Sequence, residues 1–285
     1  MAAIRKRRTA AVLALVMIGI MVPGDGGRTQ DDPVKLTGAF VQGGLIQGTT
    51  VPQAKVTLDG RAVRVARDGR FVFGFGRDAA PRAVLEVVLP DGTRIHRELA
   101  VDRRTYKVQR IDGLPSRMVT PPADVLARIR EENARIAAAR ARDRPEPLFE
   151  SGFIWPVKGP ISGVFGSQRI LNRKPRRPHY GVDIAAPEGT PVVAPADGIV
   201  VIAARDMYYT GGTVLLDHGH GLTSVYSHLK EVRVREGQRL RQGEVLGTVG
   251  ATGRVTGPHL DWRINWFDQR LDPALLVPPM TDVGR

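Results

Sequence analysis

Imidazole and carboxylate side chains recur at short spacings between residues 179 and 261. His179 and Asp183 are four residues apart, and a straight strand would separate them by about 13 Å, too far for one metal ion to bridge. A site that uses both side chains therefore needs a bend in the chain. Pro178 and Gly181 are suited to a turn that leads into a strand.

His259 and Asp261 form a second pair, with a spacing of two residues. On a strand such side chains face the same side about 7 Å apart, so one can bind a metal while the other acts as an acid or base. Tyr226 and His228 have the same spacing. Because the chain contains no cysteine, histidine and carboxylate are its only strong ligand types. The pattern predicts a metal-bound hydrolytic site.

The order of these motifs resembles the lysostaphin/LytM-type zinc endopeptidases, peptidase family M23, which cut peptidoglycan cross-links. His-x-x-x-Asp comes first, Tyr-x-His-Leu second and Gly-x-His-Leu-x last, within residues 152–279. The segments 181–191, 214–219 and 247–250 also follow the order that such domains show. The resemblance implies an antiparallel β peptidase domain that binds one Zn²⁺ per chain.

The resemblance implies that His179, Asp183 and the residue at position 261 hold the zinc, with an open fourth position. The family has a histidine at that last position, where this chain has Asp261. Carboxylate oxygen also binds zinc, so we expect Asp261 to be the third ligand. Alternatively, Asp261 orients His259, which would itself bind the metal, or the site is empty. Two carboxylates would also admit manganese or other hard ions.

The resemblance further implies that His228 and His259 carry out the proton transfers. One would take the proton from the attacking water and the other would stabilise the oxyanion, and the sequence does not assign these roles individually. The expected reaction is hydrolysis of peptide cross-links in cell-wall peptidoglycan by a zinc-activated water. The alternative is a catalytically inactive LytM-like regulator that binds the wall and activates an amidase, as relatives that have lost ligands do.

Basic side chains are concentrated in the segment 165–178, directly before the first motif. We expect this segment to rim the cleft, where arginine could hold carboxylates of a stem peptide, although a merely solvated loop is the alternative. The predicted rim residues are Arg169, Arg173, Arg176, Arg177 and Tyr226.

Short β-branched runs separated by glycine-containing turns fill residues 152–279 and predict an antiparallel β fold. His218 and His220 fall in one such turn and are expected to be structural. The regular spacing of the glycines also resembles that of lipoyl or biotin carrier domains. Those domains need a lysine at a hairpin tip, whereas Met207 is followed here by Tyr208.

Alternating runs and Asp-Gly turns over residues 34–110 predict a small β-sandwich domain without a catalytic cluster, suited to spacing or binding. Thr120 and Pro121 predict the start of a connecting helix over 121–144. Its apolar stripe is thin, and Asn133 and Arg140 fall on it, which favours light packing on a neighbour over a coiled coil. The predicted class is mainly β.

A basic cluster precedes an apolar run within residues 1–22, which predicts a signal peptide or an uncleaved N-terminal anchor. The chain is therefore expected in the periplasm or cell envelope. Its net charge of +13 favours anionic envelope surfaces and peptidoglycan stem peptides as partners. No RNA-binding or DNA-binding motif is present in the sequence, so nucleic acid is not an expected partner.

Overall fold

Antiparallel strands make up most of the regular structure in the computed structural model, which describes residues 32–113 and 121–280. The predicted mainly β class is confirmed. The strands are β1 (Lys35–Gly38), β2 (Leu45–Thr49), β3 (Lys55–Leu58), β4 (Arg61–Val63), β5 (Arg70–Gly74), β6 (Arg82–Val88), β7 (Arg94–Ala100), β8 (Val108–Ile111), β9 (Ile161–Gly163), β10 (Gln168–Leu171), β11 (Lys174–Pro175), β12 (Val182–Ala185), β13 (Pro191–Val193), β14 (Gly198–Met207), β15 (Gly211–Gly219), β16 (Leu222–Val232), β17 (Arg239–Leu240), β18 (Val245–Val249), β19 (His259–Trp266) and β20 (Gln269–Leu271). The α-helix is α1 (Leu126–Arg140), and 3₁₀ turns cover Ala123–Val125, Leu148–Ser151 and Pro273–Leu275.

Two small antiparallel sheets form the N-terminal part, in the strand orders β1-β2-β5 and β4-β3-β6-β7. Alternation along β6 buries Ala83, Leu85 and Val87, while β5 buries Phe71 and Phe73. These side chains belong to one hydrophobic core, so the two sheets form the sandwich that the alternating runs predict. The exact domain boundaries stay predictions.

A ten-stranded sheet carries the sequence motifs. Its main path is β17-β14-β15-β16-β19-β12-β9, with β18 joining β16 and β13, and β20 joining β19. The central strand β15 is buried along its whole length, and Tyr226, Trp262 and Trp266 are among the largest fully buried side chains. Because β16, β19 and β12 are neighbours, three motifs that are far apart in sequence meet on one face.

Helix α1 packs on this sheet through Ile136 and Ala139, which join a cluster with Val225 on β16. The helix is shorter than the predicted 121–144, because a 3₁₀ turn precedes it and its last residue is Arg140. Thr120, the predicted cap, lies outside the described residues. The light packing that the thin apolar stripe predicts agrees with the two buried side chains of the helix, Ile129 and Ala139.

The segment before His179 forms a short hairpin, β10 and β11, instead of an open loop. Asn172 and Arg173 have φ of 46° and 63°, as a tight two-residue hairpin turn requires. Strand β8 pairs in parallel with β10 and brings the N-terminal part to this hairpin. Nε of Arg77 donates to the carbonyl of Gly166 at 2.8 Å, which fixes the start of the segment.

The described residues from Pro33 onward form one compact unit. The predicted signal peptide or N-terminal anchor over 1–22 lies outside the described residues and stays a prediction. Within residues 32–113 and 121–280, no helix has the length and apolar character needed to span a bilayer.

Candidate metal centre

The pairing of β12 with β19 brings the three predicted ligands close together. Asp183 on β12 lies directly opposite Asp261 on β19, and His179 precedes β12. One potential ligand atom from each residue lies within 4.8 Å of the others, and all three residues are buried. Like charges directly opposite on neighbouring strands are destabilising, so the two aspartates need positive charge beside them.

The chain bends between His179 and Asp183, as their spacing requires. Nε2 of His179 lies 2.9 Å from Oδ1 of Asp183 and 3.6 Å from Oδ1 of Asp261. Gly181 is needed for space and not for a left-handed turn, since it is not among the glycines with positive φ. A Cβ at Gly181 would lie 2.5 Å from Oδ1 of Asp261 and 2.6 Å from the backbone oxygen of Trp262. The sequence predicts that Gly181 gives the backbone freedom for a turn, whereas the structure requires a glycine here because a side chain would not fit.

All three histidines at the site are anchored through Nδ1 to a backbone carbonyl. The pairs are His179 with Val164 at 3.4 Å, His228 with Thr252 at 2.9 Å and His259 with Gly257 at 2.9 Å. A carbonyl only accepts, so Nδ1 carries the proton and the lone pair of the neutral ring lies on Nε2. Each Nε2 is therefore able to bind a metal or to accept a proton.

A β-bulge in β16 lets His228 reach the site. His228 has φ of 67°, and the register of β16 shifts beside it against both β15 and β18. Its ring centroid lies 4.9 Å from that of His259, whose Nε2 is 3.8 Å from Oδ1 of Asp183. Both predicted acid–base residues are thus next to the three candidate ligands.

Tyr226 does not lie at the cleft rim, and that prediction is wrong. Its side chain is fully buried, it pairs with Trp262 across the sheet, and its hydroxyl is 2.6 Å from Oγ of Ser224. The spacing of two residues suggested that Tyr226 and His228 share a face. The bulge interrupts the alternation, so Tyr226 belongs to the core while His228 faces the site.

Two arginines hold the outer oxygens of the carboxylates. Nη2 of Arg169, a predicted rim residue on β10, lies 3.2 Å from Oδ2 of Asp183. Nε of Arg263 donates to Oδ1 of Asp261 at 2.9 Å, and its Nη2 donates to Oδ2. Sequence reasoning missed Arg263. Its spacing of two residues from Asp261 on a strand was the signal that could have found it.

The other predicted rim arginines lie on or after the hairpin. Arg173 is exposed in the hairpin turn, Arg176 is half-buried, and Arg177 is exposed two residues before His179. A role for these three residues in holding substrate stays a prediction.

Burial and ion pairing act against each other in this centre. Burial alone would raise the pKa of Asp261, but Arg263 and His179 outweigh it and hold this pKa well below its usual range. Burial also opposes the charged form of His179, whereas the neighbouring carboxylates of Asp183 and Asp261 raise its pKa to about 9. Burial lowers the pKa of His228, so its ring is neutral at pH 7 and can accept a proton.

The donor set fits a divalent cation. Nε2 of His179 is buried and, within the described residues, has no hydrogen bond of good geometry, although carboxylate oxygens surround it. One imidazole and two carboxylates are a donor set of the kind that zinc accepts in catalytic sites.

His218 and His220 are held by other groups. Nδ1 of His218 lies 2.6 Å from the carbonyl of Asp197, and its Nε2 is 2.7 Å from Oγ of Ser224. Nε2 of His220 is 3.1 Å from the carbonyl of Pro145. Both rings are buried, and these contacts give them a structural role.

Comparison with known proteins identifies the same region. The profile of peptidase family M23 matches residues 177–273, which contain all five candidate ligand and acid–base residues. A crystal structure of a Pseudomonas aeruginosa protein assigned to peptidase M23 is 33% identical and superposes with a TM-score of 0.65. The alignment covers 83% of this chain and 94% of that one.

Two curated relatives match over shorter segments. The cell division protein DipM of Caulobacter vibrioides is 37% identical over 132 residues, which are 44% of this chain and 21% of DipM. The peptidoglycan DD-endopeptidase ShyA of Vibrio cholerae is 44% identical over 113 residues, which are 39% of this chain and 26% of ShyA. The chain thus spans about a fifth to a third of the length of such relatives.

Proposed function

The chain belongs to peptidase family M23, and from that premise we propose that it is an exported metalloendopeptidase that hydrolyses peptide cross-links of cell-wall peptidoglycan. The observation that carries the proposal is the buried group of His179, Asp183 and Asp261, with two histidine rings beside it. The name of ShyA, a peptidoglycan DD-endopeptidase, supports the substrate class. The proposed location is the periplasm or cell envelope, with the segment 1–22 as signal peptide or anchor.

His179, Asp183 and Asp261 would hold one Zn²⁺, which when bound polarises a scissile carbonyl and lowers the pKa of a water molecule. The Nδ1 contact with Val164 fixes the ring of His179 so that Nε2 faces the two carboxylates. Arg169 and Arg263 orient these carboxylates from outside, through contacts to Oδ2 of each.

His228 and His259 would share the proton transfers. Their Nδ1 protons are engaged by the carbonyls of Thr252 and Gly257, so Nε2 of either ring can take the proton from the attacking water. The other ring would donate a hydrogen bond to the developing oxyanion as an imidazolium, with a second proton on its Nε2. The burial that lowers the pKa of His228 keeps this ring in the neutral, proton-accepting form at neutral pH.

A second candidate function is that of a LytM-like regulator that binds the wall and activates an amidase. The observation that favours it is the pair of Asp261 with Arg263, because the guanidinium contacts both carboxylate oxygens and so competes with a metal ion. The catalytic alternative is favoured by the retention of four metal-binding or proton-transferring side chains around Asp261, namely His179, Asp183, His228 and His259.

The test is to purify the full chain without chelator, measure its metal content and analyse digested peptidoglycan by mass spectrometry. We expect about one zinc per chain, cleavage of cross-linked peptides, loss of cleavage on chelation and recovery with zinc. His228→Ala should keep the metal and lower turnover by about 100-fold or more, since general acid–base catalysis contributes that much. His96→Ala, at an exposed histidine on β7, is the matched control.

Cleavage that survives complete removal of metal would refute the metal mechanism. A metal-free chain that stimulates an amidase and cleaves nothing itself would establish the regulator instead.

A further inference from the structure

Four arginines meet on the site-facing side of the main sheet, next to Asp261. We call this group the arginine cluster, and its members are Arg140, Arg177, Arg263 and Arg270. Arg263 shares a face of β19 with Asp261 because the two are separated by two residues. Arg270 on β20 lies opposite Asn265, which is two residues further along the same face of β19.

The other two members come from different elements. Arg140 is the last residue of α1, and its neighbour Ala139 packs in one cluster with Val225, the strand partner of Arg263. Arg177 lies in the segment that leads from the hairpin to His179. The packing of Ala139 brings the end of α1 to the strand position of Arg263, and repulsion from Arg263 and Arg177 acts on Arg140.

The cluster carries more positive charge than its surroundings offset. Arg263 pairs with Asp261, and Arg270 donates to the neutral side chain of Asn265. In the described part of the chain, neither the guanidinium of Arg140 nor that of Arg177 has a hydrogen bond or an ion pair with another residue. Asp268 is the acidic residue that attracts Arg140 and Arg270, but it already forms a salt bridge with Arg61.

This excess of charge is unfavourable for the fold. Burial and then repulsion by Arg263 lower the pKa of Arg140 to about 10. Burial and then repulsion by Arg140 lower the pKa of Arg270 to about 9. Both guanidinium groups stay charged at neutral pH, so partly desolvated like charges are held together without a full counter-charge. Such an arrangement is typical of functional sites, and a bound anion would relieve it.

We propose that the arginine cluster binds a carboxylate of the peptide substrate and thereby selects stem peptides with free over amidated carboxyl groups. This inference rests on the proposed function. Guanidinium groups match a carboxylate through parallel N–H···O bonds, which a carboxamide cannot reproduce because it lacks the charge and one acceptor oxygen. The cluster begins at Arg263, which also holds Asp261, so it is contiguous with the candidate metal centre. Arg140, Arg263 and Arg270 are half-buried and Arg177 is exposed. Such a site between a helix and a sheet suits a single carboxylate better than a flat lipid surface.

The test is direct binding to the metal-free full chain, so that no substrate is consumed. The probes are a fluorescent synthetic stem tetrapeptide with free carboxyl groups and its carboxamide analogue, and the measured quantity is Kd from fluorescence anisotropy. We expect the free peptide to bind about tenfold more tightly, as one charge-assisted contact would give. Arg140→Gln and Arg270→Gln should each remove most of this preference. Arg130→Gln on the same helix, at an exposed residue, should retain it.

Thermal stability distinguishes a binding role from a structural one. Arg140→Gln removes a repelled charge and conserves helix propensity, so its Tm should equal or exceed that of the unsubstituted chain. A lower Tm with an unchanged preference for the free peptide would overturn the inference.

The outcomes also separate the inference from the proposed function. Equal Kd values for the two peptides would overturn the carboxylate site, even in a chain that cleaves peptidoglycan. A chain that prefers the free peptide but cleaves nothing would overturn the hydrolase and leave the cluster as a binding site.

Discussion

At the scale of single residues, Asp261 and Arg263 act as one unit on β19. An aspartate where the family has histidine adds a negative charge opposite Asp183, and Arg263 supplies the opposite charge from the same strand face. The change at position 261 is therefore balanced locally. Because of this pair, converting Asp261 back to histidine should not by itself give a normal site.

We predict that Asp261→Ala weakens zinc binding by at least about tenfold, since it removes a proposed ligand. Asp261→His should bind zinc more tightly than the Ala variant, but less tightly than the double variant Asp261→His with Arg263→Gln. The reason is that histidine leaves the Arg263 guanidinium without its carboxylate beside a cation. Competition with a chromophoric chelator measures these affinities, and circular dichroism controls for folding.

Full zinc occupancy and activity in Asp261→Ala would show that Asp261 is not a ligand. Equal affinities of Asp261→His with and without Arg263→Gln would show that Arg263 does not oppose the cation.

The sequence predicts the side chains of this centre better than their orientation. His179, Asp183, His228, His259 and Asp261 follow from spacing and resemblance, and the structure brings all five together. The carbonyls that anchor the three imidazole rings could not be predicted, because a backbone carbonyl has no signature in the residue type. Their positions depend on loops that are placed by the whole fold.

At the scale of elements, the bulge in β16 brings His228 to the site beside His259. A regular strand would send His228 to the same face as Tyr226, into the core. Alternation predicts the strand correctly and misses the bulge, because the bulge depends on register shifts against β15 and β18. The hairpin of β10 and β11 was missed for the same reason, because its partner strand β8 lies far upstream in the chain.

We predict that His228→Gly is more stable than His228→Ala by about 1 kcal/mol, while both lose turnover. Residue 228 has φ of 67°, a conformation that alanine adopts at a cost and glycine adopts freely. Equilibrium urea unfolding of the two variants measures the difference. An alanine variant at least as stable as the glycine variant would mean that the bulge relaxes when the imidazole is removed.

The apolar pattern of helix α1 is interrupted at one position that lies next to the main sheet. Arg140 falls on the apolar stripe of the helix, where an apolar residue would be expected. The structure places it half-buried, next to a sheet face that carries Arg263 and Arg270. In the sequence, this charge on the apolar stripe argues only against a coiled coil, and the arginines near it could be identified only in three dimensions.

At the scale of the whole molecule, the N-terminal part contacts two segments of the part that carries the candidate metal centre. Arg104 forms a 2.8 Å ion pair with Asp272, whose backbone N–H donates to the carbonyl of Gly43 at 2.7 Å. Arg77 and β8 also contact the segment that forms the hairpin of β10 and β11. The sequence predicts a spacing or binding role for this part, and these contacts indicate that it also positions the strands beside the metal centre.

Two buried histidines outside the site should make the stability of the whole fold depend on pH. Burial lowers the pKa of His218 and of His220 below the ordinary value of about 6.5 that applies in the unfolded chain. Below that pH the unfolded state binds more protons than the folded state does. These groups therefore contribute stability above about pH 6.5 that is lost as the pH falls, by up to about 1.4 kcal/mol per pH unit for each histidine.

We predict that His220→Gln has a flatter dependence of unfolding free energy on pH between 7.5 and 5.5 than the unsubstituted chain. Glutamine removes the group that must stay neutral in the folded state, where the ring of His220 packs edge-on against Phe149. His96→Gln, which removes an exposed histidine, is the control for the loss of one imidazole. Urea unfolding at several pH values gives the slopes. If both variants keep the full slope, His220 must take up its proton within the folded protein, and the acid sensitivity must arise from the remaining histidines.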